Sequence, residues 1–429
     1  MTVIPWLGRC RFSAAPLRRG FETTLGKMLQ SAPSGDGDFE VPYLNASSVQ
    51  WEGVVADETE QRTMWASASD VRTYSVRPGD LLVCEGGDVG RAAVYDGPPG
   101  FLFQNSLHRV RARGANDVRF LRYVFMALAG TDFLDVLCNK ATIRHLTREK
   151  LGELLLPMPE PSEQRRISDF LDVEIARLDR VIAVNERNLA LLQERWDARV
   201  ANLVTGAESA GSGRPTTNAF VPVVGSGWRL GRLKDLASRI DVGIAEAATH
   251  AFADAGVPMF RSTNIRPNVL EVDDLLFIDP AFDQRNHRKR VRANDILTVR
   301  TGNAGVSAVV PVEWAGSQTF TQLITSLHPY NDSYFVCFYL NSLPARNYFA
   351  ATSWGTAQRN ISVPLLANMP VPFPSERAQA ELGRLLLAER ENFVLSVAAI
   401  QRRTDLLRER RVGLVSAAIA GDLDARVAA

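Results

Sequence analysis

A regular apolar stripe runs through two long stretches of the chain, and no proline interrupts either stripe. Apolar residues three, four or seven positions apart lie on one face of a helix, and a stripe this narrow is typical of a coiled-coil seam. The pattern therefore predicts two long helices that pair along their seams. The first seam comprises Ile167, Leu171, Leu178, Ile182, Leu189, Leu192, Trp196, Val200 and Leu203. The second comprises Leu382, Leu386, Phe393, Val397, Ile400, Leu407, Leu414 and Ala418.

Both stretches also carry signals for the ends of a helix. Ser162 and Ser375 are suitable N-cap residues, and an acidic residue follows each of them in the first turn, where it is favourable to the helix dipole. Gly206 and Gly421 follow the stripes and are typical C-terminal stops. Each predicted helix has about 40 residues and is therefore roughly 60 Å long at 1.5 Å per residue.

An internal repeat with an offset of 215 positions relates the two halves of the chain. The segment LLQERWDARVANLVTG (191–206) corresponds to LLRERRVGLVSAAIAG (406–421), and RPGDLLVCEGGDVGRAAV (77–94) corresponds to RANDILTVRTGNAGVSAV (292–309). Two long copies do not make a solenoid, which needs several short repeats. The chain is therefore predicted to be a duplicated unit.

Each copy begins with a region of mixed pattern. Short β-like runs such as DLLVC, DILTV and SAVVPV are broken by Gly, Pro and Asn, and apolar patches such as FLRYVFMALAG and YFVCFYLNSL are typical of helices. The pattern predicts a mixed α+β fold, within the broad α/β class. The predicted organisation is a first mixed domain 1–158, a first spacer helix 159–206, a linker 207–222, a second mixed domain 223–373, a second spacer helix 374–422 and a tail 423–429.

The long helices need a partner for their stripes, because a helix of that length extends beyond the core of one such domain. The other copy supplies a stripe of equal length. Two antiparallel coiled-coil helices with a mixed domain at either end would bury both stripes and create an internal pseudo-two-fold repeat. The alternative is that each helix packs along its own mixed domain.

Composition places few limits on function. The 429-residue chain has 49 basic and 48 acidic side chains and a net charge of +1, which lacks the basic excess typical of nucleic-acid-binding proteins. A local positive surface remains compatible with this balance. No apolar run is long enough to span a membrane, and the arginines and proline near the N-terminus are unlike a signal peptide. We therefore expect a cytoplasmic protein without a membrane partner.

Sequence motifs for catalysis are missing. The four cysteines and five histidines are scattered without metal-ligand spacing, so no metal site is predicted. The segments EGGDVG and RTGNAG match neither the dinucleotide-binding pattern nor the P-loop and are typical of turns. The sequence also contains no nucleophile elbow and no amino-methyltransferase tetrapeptide. We therefore predict a non-catalytic protein with no catalytic residues.

The motifs, in this order and in two copies, resemble the specificity (S) subunit of Type I restriction-modification systems, the HsdS family. The resemblance lies in PMPEPSEQRRI (157–167), PFPSERAQAEL (372–382), the two helix ends, RPGDLLVCEGGDVG, RANDILTVRTGNAG and GTAQRNIS (355–362). It covers essentially the whole chain. One departure is SERAQAEL, in which Arg377 separates Glu376 from the later Gln379.

This resemblance implies a division of labour. Each mixed domain would be a target recognition domain that reads one half of a bipartite, asymmetric site in double-stranded DNA, with half-sites about one DNA turn apart. The helices would set the spacer and dock two modification (methyltransferase) subunits, which bind S-adenosylmethionine. Restriction (endonuclease and translocase) subunits, which use ATP and Mg, would join the same complex. No cofactor is expected on this chain.

Candidate DNA contacts follow from residue type, because phosphates are bound by Arg or Lys and bases by Arg, Lys, Asn or Gln. The candidates in the first domain are Arg109, Arg111, Arg113, Lys140 and Arg144. Those in the second domain are Arg285, Arg288, Lys289, Arg290, Arg300, Asn303, Gln358, Arg359 and Asn360. The alternative for each cluster is a solvated face. The alternative for the whole chain, favoured by its near-neutral charge, is a duplicated protein-interaction scaffold that does not bind DNA.

Overall fold

The structure, a computed structural model, describes residues 10–50, 62–129, 131, 133–138, 145–207, 213–245, 251–353 and 360–423. The chain divides into two compact units. Unit 1 contains Met1–Glu186 and Arg402–Ala429, and unit 2 contains Arg187–Gln401. Each unit therefore consists of one mixed domain and about half of each long helix.

The first mixed domain, in unit 1, is built from short elements. Its strands are β1 (Ala14–Pro16), β2 (Phe21–Leu25), β3 (Phe39–Leu44), β4 (Thr63–Ala66), β5 (Leu81–Cys84), β6 (Ala92–Val94), β7 (Leu102–Phe103), β8 (Leu107–Ala112) and β9 (Leu155–Pro157). Its helices are α1 (Leu17–Gly20), α2 (Ala68–Tyr74), α3 (Val118–Ala129), α4 (Phe133–Leu137) and α5 (Arg148–Glu153). The long helix α6 (Pro161–Thr205) follows.

Two sheets organise this domain. An antiparallel sheet has the strand order β2-β8-β5-β6, and a smaller sheet has the order β4-β3-β7, in which β3 and β7 run parallel. Strand β1 pairs with β9 and joins the two ends of the domain. The apolar face of α3 contributes Phe120 and Val124 to the same core as Leu81 and Val110 of the larger sheet. The β-like runs of the sequence thus form two sheets, and the apolar helix α3 covers the larger one.

The second mixed domain, in unit 2, is also built from short elements. Its strands, including those of the linker, are β10 (Arg214–Pro215), β11 (Val223–Val224), β12 (Arg229–Arg232), β13 (Ala237–Val242), β14 (Phe252–Ala253), β15 (Val257–Phe260), β16 (Ile265–Arg266), β17 (Val269–Leu270), β18 (Leu276–Ile278), β19 (Ile296–Thr298), β20 (Ser307–Val309), β21 (Gln318–Thr319), β22 (Leu323–Leu327) and β23 (Pro370–Phe373). Its helices are α7 (Leu233–Leu236), α8 (Pro280–Arg285), α9 (Ser333–Asn341), α10 (Leu343–Thr352) and α11 (Val363–Ala367), and the long helix α12 (Glu376–Ala420) follows. Short 3-10 turns in the two domains occupy Ala46–Ser48, Ser262–Asn264, His287–Lys289 and Val312–Trp314.

The strand order shows that the second domain repeats the first. Its antiparallel sheet has the order β13-β22-β19-β20, its smaller sheet has the order β14-β18-β15-β21, and β12 pairs with β23 as β1 pairs with β9. Ile296 lies opposite Thr325 in the larger sheet, and Leu81 lies opposite Val110 in the first domain. Each residue of the pair in the second domain lies 215 positions after its counterpart in the first. The repeat seen in the sequence is therefore a repeat of the topology of the larger sheet and of the register between its two central strands, whereas the smaller sheet has three strands in the first domain and four in the second.

The starts of the long helices correct one prediction. Helices α6 and α12 begin 215 positions apart, as the offset of the repeat predicts, whereas the predicted caps Ser162 and Ser375 are 213 positions apart. Ser375 is the cap of α12, where its Oγ accepts a hydrogen bond from the backbone N–H of Ala378 at 3.5 Å. Ser162 lies inside α6, and the carbonyl of Glu160 accepts the first helical hydrogen bonds there. The N-cap prediction for Ser162 was wrong because Pro161 is an equally good first helical residue.

Within unit 1, the two long helices run antiparallel and also pack on the mixed domain. Asp179 accepts a hydrogen bond from Arg411 at 2.9 Å, and the buried Asn185 donates one to Thr404 at 3.2 Å. Ile167, Leu171, Val415 and Ile419 belong to the same core as helix α3. The stripes are therefore shared between the other long helix and the domain.

Within unit 2, the antiparallel pairing continues. Trp196 stacks on Phe393 with ring centroids 5.0 Å apart, and Arg199 forms an ion pair with Glu389 at 2.7 Å. The structure places every seam residue named from the sequence in a buried or half-buried position. Trp196 and Arg411 occupy equivalent positions in the repeat, and the pairing of Arg411 with Asp179 shows how the first unit accommodates a charge at the seam.

A buried glutamine at the start of α6 connects this helix to the mixed domain. Gln164 is fully buried, and its Oε1 accepts a hydrogen bond from the backbone N–H of Asp117 at 2.9 Å. Its Nε2 donates to Oδ1 of Asn116 at 2.8 Å and to the carbonyl of Pro159 at 2.9 Å. Each polar atom of the side chain is thus satisfied within the protein.

Gln379 makes the same contacts in unit 2. Its Oε1 accepts from the backbone N–H of Asp332 at 3.1 Å, and its Nε2 donates to Asn331 at 3.1 Å and to the carbonyl of Pro374 at 3.3 Å. All four positions are 215 residues after those of unit 1. The split of the Glu-Gln pair in SERAQAEL therefore does not alter the structural role of the glutamine.

We expect Gln164→Ala and Gln379→Ala each to lower the free energy of unfolding by about 1–3 kcal/mol, because each leaves a buried backbone N–H without an acceptor. Urea denaturation followed by circular dichroism measures the change. Gln193→Ala on the exposed face of α6 is the matched control, with an expected change within about 0.5 kcal/mol. Equal midpoints for all three variants would contradict the structural role of the buried pair.

Candidate nucleic-acid interface

Two of the candidate arginines of the first domain are bound within the protein. Arg109 of β8 is only 6% exposed and donates to the carbonyls of Thr73 at 3.0 Å and Ser75 at 2.6 Å. Burial lowers the pKa of Arg109 from its ordinary value. Arg111 binds the buried carboxylate of Asp80 at 2.6 and 2.8 Å, and these hydrogen bonds raise the pKa of Arg111. Their geometry favours a structural role.

The remaining candidates of the first domain divide by position. Arg113 is exposed just after β8, and among the described residues its guanidinium has no carboxylate partner. Lys140 and Arg144 lie outside the described residues. Arg109 and Arg111 alternate along β8 and therefore share one face of the strand, and Arg113 follows the end of β8, where the chain becomes exposed.

The basic run of the second domain folds as α8 and the 3-10 turn after it. Arg285 is exposed and lies over the Phe282 ring, with 5.4 Å from Cζ to the ring centroid. Arg288 is exposed, and among the described residues its guanidinium has no carboxylate partner. Lys289 donates to the carbonyl of Gly243 at 3.1 Å. In this run Arg285 and Arg288 are thus exposed, and Lys289 is half-buried.

Arg290 has a different environment. It forms an ion pair with the buried carboxylate of Asp283, which also accepts a hydrogen bond from Gln318 at 2.8 Å. Burial raises the pKa of Asp283, but the hydrogen bonds from Arg290 and Gln318 outweigh it and hold that pKa below its ordinary value. The pairing indicates that Arg290 fixes the turn on which Arg288 is presented.

A chain of hydrogen bonds links this run to the loop after β19. The backbone N–H of Gly243 donates to the carbonyl of Gln322 at 2.9 Å, and Oε1 of Gln322 accepts from the backbone N–H of Arg300 at 3.3 Å. Only glycine fits at position 243, because a Cβ there would lie 2.3 Å from the carbonyl oxygen of Thr319. The hydrogen bonds of Lys289 and Arg300 therefore meet where the backbone of Gly243 passes close to the segment Thr319–Gln322.

The loop after β19 brings two candidates into contact. Nε of Arg300 donates to Oδ1 of Asn360 at 3.1 Å, and Asn360 is exposed. Asn303 is exposed in the following turn. Gln358 and Arg359 lie outside the described residues. Arg300, Asn303 and Asn360 thus present a guanidinium and amide groups, which are the groups that read base edges.

Sequence reasoning missed the corresponding residues of the first domain. Glu85 and His145 lie 215 positions before Arg300 and Asn360, and Oε2 of Glu85 is 3.1 Å from Nδ1 of His145. Only basic and amide residues were candidates for DNA contacts, and Glu85 is acidic. The repeat offset was the signal that could have found this pair.

The described residues contain no cluster of His, Cys, Asp and Glu suited to a metal ion. The four cysteines are free, and burial raises the pKa of Cys84. Among the helices in the described part of the chain, none is long and apolar enough to cross a membrane.

Fold and site together define a class of protein: a duplicated α+β chain whose two domains share one frame and present different polar groups at equivalent positions. Residues 27–192 match the family model of the Type I restriction modification DNA specificity domain. The chain is therefore similar to the specificity subunits of Type I restriction-modification systems. The resemblance identified from the sequence is confirmed.

One curated relative supports this resemblance. The chain is 24% identical over 323 residues to the Type I restriction enzyme EcoBI specificity subunit of Escherichia coli, with 72% of this chain and 66% of that relative covered. The match therefore spans slightly less than two thirds of the length of that relative.

Two solved structures share the fold. A chain from a study of complex assembly and conformational transition of the type I R-M system matches with a TM-score of 0.68 at 14% identity, over 95% of this chain and 100% of that one. The HsdS subunit from Thermoanaerobacter tengcongensis matches with a TM-score of 0.52 at 15% identity, over 98% and 96%. The predicted fold class is confirmed.

Proposed function

We propose that the chain recognises DNA sequence for a Type I restriction-modification complex, with each mixed domain reading one half of a bipartite, asymmetric target. One observation carries this proposal. The larger sheets of the two domains share their strand order, and the β5–β8 and β19–β22 pairs share their register, whereas the polar groups on that frame differ, as Arg300 and Asn360 differ from Glu85 and His145. A repeated frame with divergent polar groups is what two different half-sites require.

The long helices supply the second part of the proposal, the docking of two modification subunits. Leu191 is 50% exposed and Leu406 is 56% exposed, although both lie on helices that bury their seams. They occupy equivalent positions, 215 residues apart. Two exposed leucines at equivalent places fit two copies of one partner, each of which buries one leucine. Restriction subunits would join through the same core.

Cofactors belong to the partners in this proposal. S-adenosylmethionine would be bound by the modification subunits, and ATP and Mg by the restriction subunits. This chain would contribute recognition and no catalytic step. The competing function is a protein-interaction scaffold without DNA contact, and the net charge of +1 is the observation that favours it.

Salt dependence of DNA binding separates the two functions. We expect the complex of the chain with its modification subunit to bind DNA with an affinity that falls steeply with salt, because phosphate contacts release counterions. Arg288→Ala should reduce the slope of log affinity against log salt by about one unit. Fluorescence anisotropy over a salt series measures it.

Arg377→Ala is the matched control, because Arg377 is 89% exposed, pairs with Glu381 and lies at the start of α12, outside the two mixed domains. Its slope should equal that of the unaltered complex. Absence of DNA binding by the unaltered complex would support the scaffold instead.

A further inference from the structure

The loop that follows β5 in the first domain and the loop that follows β19 in the second have the same backbone hydrogen bonds. The carbonyl of Glu85 accepts a hydrogen bond from the backbone N–H of Leu146 at 2.8 Å, and the carbonyl of Arg300 accepts one from Ile361 at 3.0 Å. Leu146 and Ile361 are fully buried, and each anchors beneath the loop the segment that carries His145 or Asn360. The two hydrogen bonds are related by 215 positions, so the loops are equivalent.

The turn that follows is also shared. The backbone N–H of Gly90 donates to the carbonyl of Cys84 at 3.0 Å, and that of Gly305 donates to the carbonyl of Val299 at 2.9 Å. Both glycines have a positive φ, 80° and 98°, which favours glycine. The backbone is thus the same before and after the position that holds Glu85 or Arg300.

On this common backbone, each domain places two side chains in contact at the surface. Glu85 meets His145, whose side chain is 48% exposed, and Arg300 meets the exposed Asn360. The first pair joins a carboxylate to an imidazole, and the second joins a guanidinium to an amide. The two pairs therefore occupy equivalent positions in the two copies, but the chemical groups at these positions differ.

This combination excludes two simpler roles. A phosphate contact shared by the two domains would need a cation in both, and Glu85 is an anion that a phosphate repels. A structural ion pair shared by the two domains would need opposite charges in both, and Asn360 is neutral. What the positions share is a pair of directional hydrogen-bonding groups.

We propose that Glu85 with His145, and Arg300 with Asn360, are the specificity-determining pairs of the two domains and contact base edges in the major groove. This inference rests on the proposed function. Arg300 has the forked donors that match O6 and N7 of guanine, and Glu85 is an acceptor that matches the N4 amino group of cytosine. Asn360 and His145 hold these side chains in position and face the neighbouring base pair.

The test uses the full chain with its modification subunit, and it measures affinity for duplexes that carry every single-base change in the recognised site. Arg300→Ala should abolish discrimination at one base pair in one half-site, with a loss on the order of 10-fold or more for the original duplex. Arg300→Lys should lose the same discrimination, because it keeps the charge but not the fork. Glu85→Gln should shift the preference at one base pair of the other half-site from cytosine towards adenine.

Arg288→Ala is the comparison variant, since a phosphate contact should weaken all duplexes by the same factor. Arg300 and Glu85 variants that weaken all duplexes equally, or leave every preference unchanged, would overturn the inference while DNA recognition by the chain stands. An unaltered complex with no preference for any duplex would instead overturn the proposed function. Thermal unfolding of each variant confirms that the fold is kept, and Arg300→Lys provides the readout where Arg300→Ala does not fold.

Discussion

Exchange of residues 1–158 for the first domain of a relative should change one half of the methylated DNA motif and leave the other half and the spacer as they are. The reason is that this segment contains a complete sheet and its covering helix, and the pairing of β1 with β9 closes it before α6 begins. The second reader and both long helices are retained. Replacement of a whole half-site alters several base contacts at once, so the old motif should no longer be methylated detectably.

The donor domain must fit α6. It should retain an asparagine at the position of Asn116, whose side-chain oxygen accepts a hydrogen bond from Gln164, and apolar residues against Ile167 and Leu171, whereas Gln164 contacts only the backbone N–H of Asp117. Single-molecule sequencing of the host DNA reads out the motif. The same exchange with the second domain, residues 223–373, is the reciprocal control and should change the opposite half. A change in both halves from either exchange would contradict independent readers.

Leu191→Asp together with Leu406→Asp should abolish binding of the modification subunits. Each leucine contributes on the order of 1.5–3 kcal/mol when it is buried by a partner, and an aspartate in its place adds the cost of burying a charge without a counterion. Each single variant should leave one docking position intact and retain one modification subunit. Native mass spectrometry of the co-expressed subunits measures this stoichiometry.

Val312→Asp is the matched control for that experiment. Val312 is 72% exposed on a short turn of the second domain, so the same substitution there should leave two modification subunits bound. Full stoichiometry in the double variant would place the docking surface elsewhere on the chain.

The long helices were predictable from the sequence because their signals are local. An uninterrupted stripe, a cap and a terminal glycine lie within one segment, and α6 and α12 differ from the predicted bounds by only one or two residues at each end. The prediction of Ser162 as the N-cap was wrong because Pro161, the residue before it, is also a favourable first residue of a helix. Strand order was not predictable, since the pairing of β1 with β9 joins segments more than 130 residues apart.

The candidate site was predictable only in part, because residue type does not report burial. Arg109 looks like a DNA contact in HRVRARG, yet its guanidinium is bound by carbonyls of Thr73 and Ser75, which no local pattern reveals. The contact of Arg300 with Asn360 spans 60 residues and depends on the fold of the whole domain. The repeat carried the missing information, because it maps Arg300 onto Glu85.

Genome-wide mapping of methylated adenines, in a host that expresses the modification subunit with and without this chain, measures whether the chain specifies the methylated sequence. One split, asymmetric motif should be methylated, and only when the chain is present. Methylation of the same motif without the chain, or a palindromic motif in its presence, would contradict recognition of two different half-sites by its two domains.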